Sequence, residues 1–184
     1  GGEAAGEAVA DVLFGDYNPA GRLPLTFYNS VDDLPPFEDY NMTGRTYRYF
    51  DGEVLYPFGY GLSYTSFSYG NLILEKDEMG SHETITVSVD VSNTGIWDGE
   101  EVVQLYIRYP ETEEMHPLKD LRGFERVGIK AGQTIVVSLE LGPEELARYN
   151  LNSGSYQVEP GNYESRAGPS SAAGALLTSE LLVR

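Results

Sequence analysis

Residues 84–91 read Thr-Ile-Thr-Val-Ser-Val-Asp-Val, and this stretch decides the fold class. β-Branched apolar residues alternate strictly with polar ones, so every second side chain points to the same face of an extended chain. Such alternation is typical of a strand that buries one face and exposes the other. Asn93-Thr94-Gly95 follows shortly afterwards, and these turn residues predict that the chain reverses there.

The same alternation recurs toward the C-terminus of the chain. Further strands are predicted at residues 103–107, 121–129, 135–141, 155–158, 162–166 and 176–182. A single helical turn is predicted at residues 143–149, with Pro143 at its first position. About seven or eight short strands separated by turns, with almost no helix, predict a mainly β fold. We expect a two-sheet, immunoglobulin-like β-sandwich over residues 67–184.

The N-terminal residues show a different pattern. Residues 3–14 predict a helix, because alanine is frequent and apolar side chains recur at spacings of three and four. Gly15 is a typical C-terminal cap, and residues 23–27 predict a short edge strand. Together, residues 1–30 are typical of the last helix and strand of an incomplete α/β domain. The chain begins with Gly rather than Met, so we expect a piece of a longer protein.

The energetics of this N-terminal segment support that interpretation. Ordering about 30 residues costs several tens of kcal/mol of conformational entropy. The segment offers about seven large apolar side chains, and each contributes at most about 3 kcal/mol when buried. We therefore expect residues 1–30 to depend on contacts with further protein.

Residues 31–66 form an aromatic-rich connector between these two parts. Eleven aromatic rings lie within residues 37–69, whereas flexible linkers are rich in Gly, Ser and charged residues. Two interpretations stay open. The rings either pack across a domain interface, or they form a surface on which sugar rings stack.

Composition excludes several function classes. The 184 residues include 29 Asp and Glu against 12 Lys and Arg, a formal net charge of −17, which disfavours nucleic acid partners. No apolar run approaches the roughly 18 residues of a spanning helix, so we expect no membrane insertion. With no Cys and only two His, the sequence predicts neither a metal site nor a cofactor.

The carboxylates do not form a convincing catalytic pair. They cluster in predicted loops, where tuned acid–base pairs are rare. The clusters are Asp32/Asp33, Asp98/Glu100/Glu101, Glu111/Glu113/Glu114 and Glu144/Glu145. Gly59-Tyr60-Gly61 follows no buried strand and precedes no helix, which argues against a dinucleotide site. The residues alone therefore predict no active site in this chain.

Several motifs, in order, carry a resemblance to a known family. Residues 7–24, EAVADVLFGDYNPAGRLP, resemble the end of the α/β sandwich domain of glycoside hydrolase family three. Residues 55–67, LYPFGYGLSYTSF, resemble the entry into that family's fibronectin type III-like domain. Further motifs match in family order at residues 93–106, 118–124 and 160–171. Residues 42–50, MTGRTYRYF, are more similar to the β-xylosidase branch than to typical β-glucosidases.

The resemblance implies a C-terminal fragment of a retaining, exo-acting β-glycosidase, with xylo-oligosaccharides as substrate. In this family an aspartate nucleophile lies in an N-terminal barrel and a glutamate acid/base lies in the α/β domain. Neither position falls within this chain, so no catalytic residue is expected here. The expected partners are the remainder of the parent enzyme, its barrel and α/β sandwich domains, and the oligosaccharide substrate.

Alternatives remain at this point. The parent would instead be a β-glucosidase, or the chain would be a carbohydrate-binding or interaction β-sandwich module. The compartment is open, with a periplasmic or secreted location favoured over a cytoplasmic one.

One segment of the connector stands out as a candidate site. Arg45, Tyr47, Arg48 and Tyr49 lie close to the expected domain junction. In an extended chain Arg45, Tyr47 and Tyr49 would point one way and Arg48 the other. These residues would either clasp two domains together or reach a sugar hydroxyl at the edge of the substrate cleft.

Overall fold

The computed structural model describes residues 2–111 and 116–184. Two sheets face each other, and among the described residues all but one of their strand pairs are antiparallel. The first has three strands in the order β3-β5-β8, formed by Phe67–Leu74, Ile85–Asn93 and Thr134–Leu141. The second has five strands in the order β4-β12-β11-β6-β7. These are Glu78–Met79, Leu177–Val183, Gly161–Gly168, Gly99–Arg108 and Asp120–Ile129. The predicted two-sheet sandwich is confirmed.

Strand β5 shows why the alternating stretch determines the fold. Its residues alternate between buried and half-buried along its whole length. Val87, Val89 and Val91 face the core, while Ser88 and Ser138 share a hydrogen bond on the outer face at 3.0 Å. Since β5 lies between β3 and β8, both of its edges are paired and its backbone groups are satisfied.

Strand β6 lies inside the larger sheet, between β11 and the edge strand β7. Unlike β5, it is buried on both faces over most of its length. Val103, Leu105 and Ile107 join the core between the sheets. The opposite face carries Gln104 and Tyr106, which are fully covered as well. The sandwich therefore has material packed on the outside of β6.

That material includes Gly59, which contacts Gln104, and Tyr47, which contacts Tyr106 and belongs to the short elements of residues 27–56. Strands β1 (Phe27–Tyr28) and β2 (Val54–Tyr56) pair with each other, and α2 (Thr46–Tyr49) is a single helical turn. A 3₁₀ turn spans Val31–Asp33 and is capped by Ser30.

Helix α1 (Ala5–Phe14) confirms the predicted N-terminal helix, and Gly15 ends it with φ of 86°. None of its residues is buried, and Phe14 is 84% exposed. Val9 and Leu13 are exposed as well, so much of its apolar face is left uncovered by the described residues. This agrees with the shortage of apolar contacts calculated for the segment.

Two local expectations differ from the structure, and part of a third lies outside the described residues. The predicted strand at residues 23–27 is reduced to Phe27–Tyr28, because the Leu23 backbone bonds instead to Gly59 and Tyr60 of the connector. The helical turn predicted at residues 143–149 ends after α3 (Pro143–Leu146). It is followed by a hairpin of β9 (Arg148–Asn150) and β10 (Ser155–Gln157). Glu113 and Glu114 of the predicted acidic loop lie outside the described residues.

No helix in the described part of the chain is long and apolar enough to cross a membrane.

Candidate functional site

The segment with Arg45, Tyr47, Arg48 and Tyr49 is not extended, which corrects the sequence prediction. Residues Thr46–Tyr49 form helix α2. Thr46 begins it with φ of 56°, in the left-handed region that β-branched residues rarely adopt. The Thr46 amide donates to the Tyr28 hydroxyl at 2.6 Å. This turn sends the four side chains in separate directions.

Arg45 binds its own loop. Its Nε donates to the Asn41 carbonyl at 3.0 Å, and its Nη2 donates to the carbonyls of Pro36 and Asp39. A guanidinium that donates to three backbone carbonyls fixes the conformation of a loop that lacks regular secondary structure. Arg45 thus holds residues 36–45 in shape.

Tyr47 packs on the outer face of β6. Its ring stacks on Phe58 with centroids 4.2 Å apart and meets the edge of Tyr106 at 5.9 Å. Its hydroxyl accepts a hydrogen bond from the Leu121 amide at 3.1 Å. Burial raises the pKa of Tyr47 above its ordinary value of about 10. The ring is an anchor between connector and sandwich.

Arg48 reaches a carboxylate of the sandwich. Its Nη2 lies 3.0 Å from Oδ2 of Asp120, which begins β7. Arg122 binds the same oxygen at 2.9 Å, and the Tyr109 hydroxyl lies 3.3 Å from it. In addition, the Arg48 carbonyl accepts from the Leu118 amide at 2.6 Å. One buried carboxylate therefore pairs with two guanidinium groups from different parts of the chain.

Tyr49 lies half-buried beside this ion cluster, with the Arg48 guanidinium carbon 5.7 Å from its ring centroid. The Tyr109 ring is flanked by Arg122 at 5.6 Å and Arg148 at 5.1 Å. Arg148 also contacts His116. Burial raises the pKa of Tyr109, so its hydroxyl stays protonated. These groups are all engaged with one another.

A second buried ion pair lies farther along β6, and sequence reasoning missed it. Arg22 donates to Oε2 of Glu101 at 2.7 Å, and the Tyr69 hydroxyl donates to Oε1 at 3.0 Å. Glu101 is only 2% exposed. The sequence predicts that Glu101 belongs to a loop carboxylate cluster, and that prediction is wrong. Its place on a strand with two buried faces was the signal that could have revealed it.

Asn18 adds polar contacts to the same junction. Its side-chain oxygen accepts from the Tyr64 amide at 2.8 Å and from the Ser63 hydroxyl at 3.0 Å. Its amide nitrogen donates to the Asp98 carbonyl at 2.9 Å. Residues 18–22 are thus bonded to both the connector and the sandwich.

The Gly-Tyr-Gly motif is explained by close approach of backbones. Gly59 has φ of 81°, and a Cβ there would lie 2.0 Å from Oε1 of Gln104. Gln104 in turn donates to the carbonyls of Gly59 at 3.2 Å and Pro169 at 2.5 Å. A Cβ on Gly61 would lie 2.3 Å from the Gly21 carbonyl. The glycines let the connector lie directly on β6 and on the residues before it.

The aromatic rings of the connector divide into two groups. Tyr47, Phe58 and Tyr60 are partly covered by protein, whereas Phe37 and Tyr40 are each 89% exposed. Neither Phe37 nor Tyr40 has a ring partner among the described residues. Some aromatic rings of the connector therefore pack against protein, whereas Phe37 and Tyr40 are exposed to solvent.

The described residues contain no group of three or more His, Cys, Asp or Glu placed to hold a metal ion. Asp120 and Glu101 are each bound by arginine. The hydrogen bonds, ion pairs and ring contacts described above attach residues 18–60 to β6 and β7.

Comparison with known proteins identifies the kind of chain that this junction belongs to. Residues 1–64 match the glycosyl hydrolase family 3 C-terminal domain, and residues 101–171 match the fibronectin type III-like domain. The two matches occur in the order of the two parts of the fold. They define a sandwich attached to the end of a glycosidase domain.

Individual relatives give the same assignment. A xylan 1,4-beta-xylosidase of Xylanibacter ruminicola is 49% identical over 92% of this chain and 19% of its own length. A periplasmic beta-glucosidase of Salmonella typhimurium is 40% identical over 93% of the chain and 24% of its own length. The chain belongs to glycoside hydrolase family 3 and corresponds to the C-terminal part of its members.

Solved structures agree with this assignment. The beta-D-glucoside glucohydrolase of Trichoderma reesei superposes with a TM-score of 0.85 at 31% identity, over 99% of this chain and 29% of that one. A β-glucosidase of Erythrobacter marinus gives 0.83 at 41% identity, over 97% of this chain and 24% of that one. The chain spans less than a third of each of these proteins. The predicted family and fold class are confirmed.

Removing the acceptor of the arginine cluster should cost more stability than removing one donor. We expect Asp120→Ala to lower the free energy of unfolding by about 3 kcal/mol, because two guanidinium groups lose their counter-charge. Arg48→Ala should cost about 1 kcal/mol, since Asp120 keeps Arg122 and Arg48 is partly exposed.

Urea unfolding of this chain at neutral pH measures both values. Arg126→Ala, which breaks the exposed Arg126–Glu100 pair, is the matched control and should change little. An Asp120→Ala variant as stable as this control would contradict the role of the cluster.

The buried Glu101 should give a pH-dependent contribution to stability. Burial raises the pKa of Glu101, although Arg22 and the Tyr69 hydroxyl act in the opposite direction. A carboxyl with a raised folded pKa holds its proton longer in the folded state, so its contribution falls as pH rises through the interval between the unfolded and folded pKa. Glu101→Gln removes this titration.

We therefore expect the stability of the wild type, minus that of Glu101→Gln, to decline with rising pH above the ordinary glutamate pKa of about 4.3. Urea unfolding across that range measures the difference, in which the other carboxylates cancel. Glu83→Gln, at an exposed position where the folded pKa is lowered, is the control of opposite sign. A difference that rises with pH for Glu101→Gln would be inconsistent with this account.

Proposed function

We propose that this chain is a structural C-terminal part of a retaining, exo-acting β-glycosidase. The substrate is a β-linked oligosaccharide, and xylo-oligosaccharides are the substrate class that the similarity favours. The observation that carries this proposal is the 49% identity to a protein named xylan 1,4-beta-xylosidase, over 92% of the chain. A β-xylosidase removes xylose units from the end of such chains.

In this proposal the catalytic carboxyl groups belong to the remainder of the parent enzyme. Retaining hydrolysis uses two carboxyl groups about 5 Å apart, one as nucleophile and one as acid/base. The buried carboxylates of this chain, Asp120 and Glu101, are each held by arginine and lie in separate junctions. A nucleophile or acid needs access to the substrate, so these contacts support a structural role. No catalytic residue is proposed here.

We propose the same three-part division as the sequence suggested: residues 1–30 end an α/β domain, residues 31–66 connect, and residues 67–184 form the sandwich. The exposed apolar face of α1 supports the first part, because such a face needs a covering domain. The missing cover would be the rest of the parent's α/β domain. The barrel and that domain are therefore the proposed partners.

Arg45, Tyr47, Arg48 and Tyr49 have an indirect role in this proposal. Arg48 and Tyr47 bind the connector to the sandwich, and Arg45 shapes the loop that carries the exposed rings of Phe37 and Tyr40. Substitution of these residues would alter how the sandwich supports the catalytic domains. This favours a clasp over direct contact with substrate.

A β-glucosidase is the second candidate for the parent. The names of several relatives favour it, including the periplasmic beta-glucosidase of Salmonella typhimurium. The solved structures from Trichoderma reesei and Erythrobacter marinus also carry glucosidase names. The difference between the two candidates lies in the sugar that the parent enzyme accepts.

Activity of the full-length protein decides between them. We expect kcat/KM on 4-nitrophenyl β-xyloside to exceed that on the β-glucoside by about tenfold, which corresponds to about 1.4 kcal/mol of transition-state binding. The 184-residue chain should hydrolyse neither substrate. A reversed preference would favour the glucosidase, and turnover by the purified chain would place catalytic residues within it.

A further inference from the structure

A cavity of about 560 Å³ lies between the connector and one end of the sandwich. Tyr47, Phe50 and Asp51 line it from the connector, and Lys119 and Arg166 line it from the sandwich. Its volume falls within the range of about 300–1,000 Å³ that is usual for small-molecule sites. The cavity exists only because the connector is docked on the sandwich.

The sandwich side of the cavity carries two cations. Lys119 donates from Nζ to the Ser171 carbonyl at 2.5 Å. No carboxylate in the described ranges lies within ion-pair distance of Lys119. Arg166 is bound to Glu164 through its Nε at 2.9 Å. Burial, and then the charge of Arg166, lower the pKa of Lys119. Lys119 is thus a partly buried amine that would gain from further hydrogen-bond acceptors.

The connector side carries acceptors and apolar surface. Asp51 and Glu53 line the cavity, and neither makes an ion pair with another described residue. Phe50 is fixed by an edge contact with Tyr28 at 5.0 Å, and Tyr47 is fixed by its stack on Phe58. Both rings are therefore held in place before any ligand arrives.

The two sides together select the ligand class. A carboxylate or phosphate ligand would be attracted by Lys119 but repelled by Asp51 and Glu53. A cationic ligand would be attracted by the two carboxylates but repelled by Lys119. A neutral polyhydroxylated molecule can accept from the amine, donate to the carboxylates and place its apolar C–H face against an aromatic ring. We propose that this cavity binds a neutral mono- or disaccharide. The choice of a sugar among neutral polyols rests on the proposed function.

Titration of the chain with xylobiose and with cellobiose, followed by NMR chemical-shift changes, tests the proposal. We expect millimolar binding of at least one disaccharide, with shifts at Lys119 and Asp51. Lys119→Gln and Asp51→Asn should each weaken binding about tenfold, the loss that follows removal of a hydrogen bond to a charged group. Asp51 is exposed, so its variant keeps the fold. Lys130→Gln, at an exposed turn away from the cavity, is the matched control and should bind as the wild type does.

Three results would overturn the proposal: binding of neither disaccharide, binding that both variants leave unchanged, or tighter binding of glucuronate than of the neutral sugars. Hydrolysis by the full-length enzyme is measured separately. If that enzyme hydrolyses xylosides while the chain binds no sugar, the cavity proposal fails and the proposed function stands. If the chain binds sugar and the enzyme hydrolyses neither glycoside, the proposed function fails and the cavity proposal stands.

Discussion

The buried ion pair between Arg22 and Glu101 is the interaction on which the rest of the structure depends. It joins a residue that precedes the connector to β6, an internal strand of the larger sheet, and Nη2 of Arg22 lies 2.7 Å from Oε2 of Glu101. A buried charge without a counter-charge costs several kcal/mol, so neither residue is stable there without the other. The pair therefore fixes where the chain must lie before the sandwich begins. The hydrogen bonds of Asn18 to Tyr64 and Asp98 lie at the same junction.

The connector consequently behaves as part of the sandwich. Gly59 and Gly61 allow its backbone to touch Gln104 and Gly21, and Tyr47 packs between Phe58 and Tyr106. Arg48, the next residue in α2, pairs with Asp120. Arg22 before the connector, and Tyr47 and Arg48 within it, are therefore all bound to the sandwich.

Local sequence patterns predicted strand β5 and helix α1 well. The alternation in residues 84–91 and the helical spacing of apolar residues in α1 are both properties of neighbouring residues. The same reasoning failed for Glu101 and for α2. Glu101 is neutralised by a residue 79 positions away, and Thr46 takes a left-handed conformation that its type disfavours. Both depend on contacts between distant segments, which no local pattern contains. The family motifs indicated that residues 55–67 matter, whereas the structure supplies the physical reason.

Native-state hydrogen exchange tests most directly whether the connector and the sandwich fold as one unit. The Leu23 amide donates to the Tyr60 carbonyl and the Gly59 amide donates to the Leu23 carbonyl, each at 2.8 Å. Exchange of these two amides therefore reports on the docked connector. If docking depends on the whole sandwich, these amides should exchange with the same free energy of opening as those of Val103 and Leu105 in β6. Exchange of Leu23 and Gly59 near the rate of an unfolded peptide, while β6 stays protected, would contradict the account.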